Sequence, residues 1–187
     1  MHSLHAAFYR QNLIFVYTQR FCAYPFRVAR HTPIIMTHKP SALPEAAFAV
    51  QEIRGLEPML AQYRLVQQLN PSMPKERYKE LLQQMLPSGY RMVGAFNEAG
   101  ACVGLSGFWV GTKLYSGKYL EPDNFVVDAA YRSAGVGKLL SDWMLEEAQR
   151  LHCDTVMLDA YVTNGPAHRF YFREGFHVKS FHFFKSL

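Results

Sequence analysis

The sequence is short of several things, and each shortage narrows what the chain can be. Cysteine occurs three times, at Cys22, Cys102 and Cys153, an odd count with no CxxC spacing. That excludes a disulfide scaffold and a zinc ribbon, and it fits a reducing, cytoplasmic setting. Long apolar runs are missing. Stretches such as Leu13–Tyr17 are a handful of residues, whereas a membrane span needs about 20. Internal repeats and low-complexity tracts are missing too. Acidic side chains are absent until Glu45.

The acid-free stretch accounts for the net charge of +5. Arg10, Arg20, Arg27, Arg30 and Lys39 all lie within residues 1–39; taking these five from the 20 basic side chains leaves 15, against 15 acids. The remainder is neutral and carries no electrostatic footprint for DNA or RNA. No nucleic-acid or membrane partner is expected, and a homodimer is compatible with the composition. Residues 1–44 read as an N-terminal extension with three competing explanations: an import leader, an ordered arm, or non-native sequence upstream of Met36. Residues 45–187 read as one domain, and with 49% apolar residues overall a real core is available.

Within the domain the periodicity is orderly. Phe48–Ile53 reads as a strand, Glu57–Asn70 as a helix stopped by prolines, and Ser72 with Pro74 starts a second helix bearing Tyr78, Leu81, Leu82 and Met85 on its apolar face. Strands follow over Tyr90–Asn97, Ala101–Val110 and Lys118–Val127. A long amphipathic helix covers Val136–Leu151, then a strand Thr155–Val162, a short helix Pro166–Glu174, and a strand-like end Phe176–Leu187. The order predicts a mixed α/β fold of six to seven strands with about four helices on both faces.

The chemistry concentrates where the third of these strands meets the long helix. A buried strand ends at Asp128, and a tight loop, Arg132-Ser133-Ala134-Gly135-Val136-Gly137, opens directly into the helix with Lys138 next. Successive N–H groups and the positive end of a helix dipole then converge on one spot, which binds phosphate. Walker A is excluded because Leu139 follows Lys138 and no glycine precedes Gly137 by five. A dinucleotide fingerprint is excluded because its third glycine is missing. The pattern left is R-x-x-G-x-G/A.

With this loop, and with Asn164, Ala167, Phe170, Tyr171, Gly175 and Phe176 matching N-x-x-A-x-x-F-Y-x-x-x-G-F, the sequence resembles the GNAT family of N-acetyltransferases over roughly residues 48–187. The resemblance implies that acetyl-CoA is a co-substrate and that its acetyl group passes to a primary amine by direct attack in a ternary complex. It implies cofactor contacts from Phe125, Val126 and Val127 before the loop, from Arg132 to Lys138 within it, and from Asn164, which is equally suited to capping its helix. An amine with a pKa near ~10 is only about one part in a thousand neutral at pH 7, so a base helps. By resemblance the base is Asp123; Pro122 leaves the register open and keeps Glu121 as its rival. The acid that protonates the leaving thiolate is, by resemblance, Tyr171. In this fold the acceptor enters opposite the cofactor, where Tyr63, Tyr78, Phe108, Trp109 and Tyr115 could line its path. Aromatic walls with a carboxylate suit a small amine better than a peptide. A protein acetyltransferase and a catalytically idle acyl-CoA-binding module are the competing readings. Asp128 reads as a loop cap. His168, His177 and His182 have no ligand company, so no metal is expected.

Overall fold

The computed structural model describes residues 48–187, and the extension over 1–44 lies outside them. Five strands form one sheet in spatial order β1-β2-β3-β4-β5: β1 Ala49–Ile53, β2 Arg91–Phe96, β3 Cys102–Lys113, β4 Gly117–Val127 and β5 Thr155–Val156. The first four run antiparallel to their neighbours, and β5 joins β4 in parallel. A parallel neighbour needs a crossover, and α4, Val136–Arg150, provides it. Helices α1 (Leu56–Leu60), α2 (Tyr63–Leu69) and α3 (Lys75–Met85) lie between β1 and β2, and α5 (Gly165–Arg173) follows β5.

Strand alternation divides the core between the two faces of the sheet. Met92, Leu105 and Val126 pack with Met59, Leu65, Tyr78 and Leu82 from α1–α3. Val93, Val103, Phe108 and Leu120 pack with Val136, Leu140 and Met144 from α4. Each fully buried side chain of this size stabilises the fold by roughly 1.5–3 kcal/mol. The α4 face is further tied by Arg91, which bonds Glu52 and Glu147 at 2.7 Å each and lies over the Phe108 ring at 4.7 Å.

Three expectations need correction. The helix predicted over 57–70 is two helices, α1 and α2, separated at Ala61 and Gln62. The buried pairs Met59/Leu60 and Leu65/Val66 are six residues apart. At about 100° per residue a continuous helix would turn the second pair away from the sheet, and the break brings both onto it. The strand predicted over 155–162 is only Thr155–Val156, and Phe176–Leu187 forms no strand. Strands persist only by pairing, and beyond Met157 the first segment has no ladder with β4 to follow. The second touches it through His182 and Asp159, 2.7 Å apart. The sheet among the described residues therefore has five strands rather than six or seven, with five α-helices.

Candidate active site

The site is built around an interruption in β4. Leu120 turns its carbonyl toward β5 and accepts from the Met157 N–H at 3.1 Å. Residues two apart on a strand point the same way, so the next donor toward β5 would be residue 122. It is Pro122, which has no N–H. Pairing with β5 stops at Leu120, and the β4 edge beyond it faces a gap in the sheet.

Just past the proline, β4 bulges. Leu105 pairs with Val126 but Gly107 pairs with Asp123, so Asn124 and Phe125 stand opposite Ser106 alone. Asn124 takes φ 52°, a left-handed conformation that asparagine tolerates. The extra residue flips the facing pattern: Glu121, Asp123 and Val126 share the α1–α3 face, while Leu120, Pro122 and Phe125 turn to the α4 face. Asp128 N–H bonds back to Val103 O at 2.9 Å. Its neighbour Val127 consequently directs its N–H away from β3, into the gap.

On the α1–α3 face, Asp123 is half-buried among Tyr90, Trp109 and Asn124. Burial raises its pKa above the ordinary carboxylate value, while the Trp109 indole and Asn124 pull it partly back. Tyr90 packs against Trp109 with ring centroids 5.1 Å apart and the rings tilted by 55°. Its hydroxyl occupies the place where a Cβ on Gly107 would sit, 1.8 Å away, so no larger residue fits at 107. Burial, and then the charge of Asp123, push the Tyr90 phenol up, and it stays protonated. Glu121 instead lies 3.5 Å from the Lys113 ammonium.

On the α4 face, Tyr171 of α5 packs on Phe125, Phe170 and Phe176 with centroids 6.2, 5.2 and 5.7 Å away. With Pro122, Phe125 and Leu158 it lines a cavity of about 10 Å³, room for a single water. Burial pushes its phenol up to about 12, so it holds its proton at neutral pH.

The loop after β4 forms the third part. Ser133 and Gly135 both take positive φ, 67° and 86°. Gly135 precedes α4 with no side-chain cap, and nothing lies within 4 Å of the place a Cβ would occupy. The first-turn N–H groups of α4 at Val136, Gly137 and Lys138 have no intrahelical acceptor; Leu139 is the first to bond, to Gly135 O at 3.1 Å. The turn holds no acid, Arg132 is exposed with no ion-pair partner among the described residues, and Lys138 pairs with Asp142 at 2.8 Å. Orphaned donors, an open glycine and a cation make a cradle that fits a diphosphate.

The expected acceptor wall does not form as a unit. Phe108 and Trp109 are adjacent in β3 and face opposite ways; Phe108 is fully buried against α4 and Trp143, and is core. Tyr78 is buried with its hydroxyl donating to Met59 O at 3.1 Å, and Tyr63 donates to Met73 O at 2.7 Å. Tyr115 is exposed at the β3–β4 hairpin tip, about 20 Å along the strand from Asp123. Trp109 alone of the five adjoins Asp123. Asn164 caps α5, its Oδ1 accepting from Ala167 N at 3.2 Å, and Asp128 caps its own loop through Ala130 N.

Sequence reasoning missed Tyr90, Asn124 and a clamp from α2. Arg64 bonds Asp128, holding that carboxyl below the usual range, Gln68 accepts from Ala129 N at 3.3 Å, and Asn70 donates to Asn124 at 3.3 Å. Isolated glycines in β3 were a usable signal for Tyr90, since a strand glycine marks a close approach. Arg64 and Asp128 are 64 residues apart, and nothing local announces them.

Comparison with known proteins agrees with this architecture. The sequence profile of the Acetyltransferase (GNAT) family matches residues 59–176. An uncharacterized N-acetyltransferase of Bacillus subtilis (strain 168), YhdJ, is 26% identical over 137 residues, covering 73% of this chain and 96% of its own. The fold is shared with glucosamine-6-phosphate N-acetyltransferase of Arabidopsis thaliana, at TM-score 0.58 and 20% identity over 75% of this chain and 98% of that one. It is shared too with the aminoglycoside N-acetyltransferase AAC(6')-Iy in complex with CoA, at TM-score 0.63 and 17% identity over 75% and 95%.

Proposed function

The chain belongs to the acetyltransferase (GNAT) family, whose co-substrate is acetyl-CoA, and on that premise we propose that it acetylates a small primary amine by direct attack in a ternary complex. The observation that carries the reading is the gap opened by Pro122. Asp123 follows Pro122 on β4 with its side chain on the α1–α3 face, beside Tyr90 and Trp109, while Tyr171 lines the small cavity against Pro122 and Phe125.

Each part has a task that its chemistry suits. The N–H groups from Val136 to Lys138, with Arg132, hold the diphosphate of acetyl-CoA at the start of α4. Bound there, acetyl-CoA supplies an activated thioester carbonyl. The Val127 N–H is a preorganised donor for negative charge growing on an oxygen in the gap, a contribution of about 3 kcal/mol where such donors have been removed elsewhere. Asp123 receives the amine proton. Its raised pKa makes it a stronger base than an exposed carboxylate, and proton transfer of this kind contributes ~10²–10⁴-fold. Tyr171 holds a proton where a thiolate would leave; the apolar pocket that raises its pKa disfavours a bare thiolate as well. Glu121, paired with Lys113, is the weaker candidate for the base.

The acceptor side supports a small molecule. The surroundings of Asp123 are aromatic and bear no run of charge. The glucosamine-phosphate and aminoglycoside enzymes that share the fold act, by their names, on small amines. The test is thiol release from acetyl-CoA with a panel of free amines and of peptides. Turnover of free amines is expected. Turnover of peptides alone would identify a protein acetyltransferase, and acetyl-CoA binding with no turnover would identify an idle module.

A further inference from the structure

On the α1–α3 face, the β3–β4 hairpin carries a second set of groups, of which the mechanism considers only Glu121, as the weaker candidate for the base. Gly111, Lys113, Tyr119 and Glu121 are all half-buried there. The Lys113 Nζ lies 3.5 Å from Glu121 Oε2, 4.4 Å from the centroid of the Tyr119 ring and 3.6 Å from Met157 Sδ. A carboxylate, the face of an aromatic ring and a soft sulfur thus surround one primary ammonium, the environment that recognises such a cation. Glu121 pairs with Trp109 and Asp123 with Gly107, so the two carboxylates point from the same face, two residues apart. Their Cα atoms are separated by roughly 6.7 Å.

We propose that Glu121 and Tyr119 form a distal ammonium subsite, and that the acceptor is a diamine or longer polyamine whose second ammonium displaces Lys113 from it. The proposal rests on Asp123 as the group that receives the reacting amine. Two ammonium nitrogens about 6–7 Å apart correspond to an extended chain of about four or five methylenes. In the free protein Lys113 fills the subsite with the chain's own ammonium. Lys113 belongs to the last pair of the hairpin, opposite Gly117, and its long flexible stem lets the head leave for solvent. The groups facing the acceptor path on this side are Asp123, Glu121 and Lys113; once Lys113 withdraws, the remaining charge is negative, which favours a dication over an acceptor carrying a carboxylate.

The experiment compares kcat/KM for diaminobutane, butylamine and aminopentanoate in the unsubstituted protein and in Glu121→Gln and Lys113→Met, with thermal denaturation confirming that each variant is folded. The unsubstituted protein is expected to prefer diaminobutane to butylamine by about tenfold or more. In Glu121→Gln that ratio should fall toward one. In Lys113→Met, with its competitor gone, KM for diaminobutane should fall several-fold. Equal use of diaminobutane and butylamine, a ratio untouched by Glu121→Gln, or a preference for aminopentanoate that Lys113→Met abolishes, would each overturn the proposal while leaving Asp123 as the base. Failure of every amine in the unsubstituted protein would overturn the underlying reading of the site instead.

Discussion

Replacing Asp123 with asparagine separates its chemistry from its cost to the fold. The side chain keeps its shape, and its amide oxygen can still accept from the Trp109 indole, but it can no longer ionise or take a proton. Burial is the largest influence on the Asp123 carboxyl and raises its pKa in the folded state. The unfolded chain then loses this proton first. As pH rises from the ordinary carboxylate value through the folded value, wild type loses stability that the asparagine variant keeps. Above that window the variant should be the more stable by about 0.5–2 kcal/mol, in the range of other relieved functional strains. Below it, where the carboxyl is protonated in both states, the advantage should disappear. Activity should move oppositely, with kcat falling by ~10²-fold or more because the base is gone. Thermal denaturation at acid and neutral pH, beside thiol release with a turned-over amine, reads both effects. A variant that is less stable at neutral pH and still fully active would refute the reasoning, since Asp123 would then be a structural acceptor for Trp109 and Asn124.

The other parts of the site are open to similar tests. Gly135→Asp meets no atom within 4 Å but must hold a side chain at φ 86°; stability should fall by about 1 kcal/mol, while acetyl-CoA affinity by calorimetry falls more than tenfold, and unchanged affinity would displace the diphosphate cradle. Tyr171→Phe keeps the packing on Phe125 and Phe170 and removes one proton, so kcat should drop by about 10–10³-fold with little change in acetyl-CoA binding; full kcat would make Tyr171 a packing residue. Arg64→Met strips the partner from a buried carboxylate and loosens the loop after β4; a loss of about 2 kcal/mol should accompany a raised KM for acetyl-CoA, and a stability loss with KM unmoved would confine Arg64 to the fold. Because Arg64 and other contacts hold the Asp128 carboxyl below its ordinary range, the contribution of that pair is present above the ordinary carboxylate value and is lost as pH falls through the lowered one.

How legible the molecule was depended on how local each cause is. α4 was readable to within a residue because Val136, Leu140 and Met144 repeat at helical spacing and a glycine precedes them. The loop before it was readable for the same reason: its glycines, its arginine and its helix are contiguous. The break between α1 and α2 was not, because Glu57–Asn70 contains no helix breaker after Pro58; the break is dictated by a sheet whose strands come later in the chain. Pro122 was visible as an irregularity, but its consequence was not, because the partner it fails to bond is a strand some 35 residues onward. The bulge at Asn124 was likewise hidden, and with it the fact that Asp123 and Phe125, alternate in sequence, face opposite sides. Phe108 was misread with Trp109 for a plainer reason: neighbours on a strand cannot line one wall.

The account's central claim is that one gap in the sheet holds both substrates at once, so that the acetyl group passes directly from thioester to amine. Initial rates measured while acetyl-CoA and a turned-over amine are varied together test it most directly. Intersecting double-reciprocal lines, with no acetylated protein detectable by intact-mass spectrometry after incubation with acetyl-CoA alone, are the predicted result. Parallel lines accompanied by a stoichiometric acetyl-protein that the amine then discharges would contradict it.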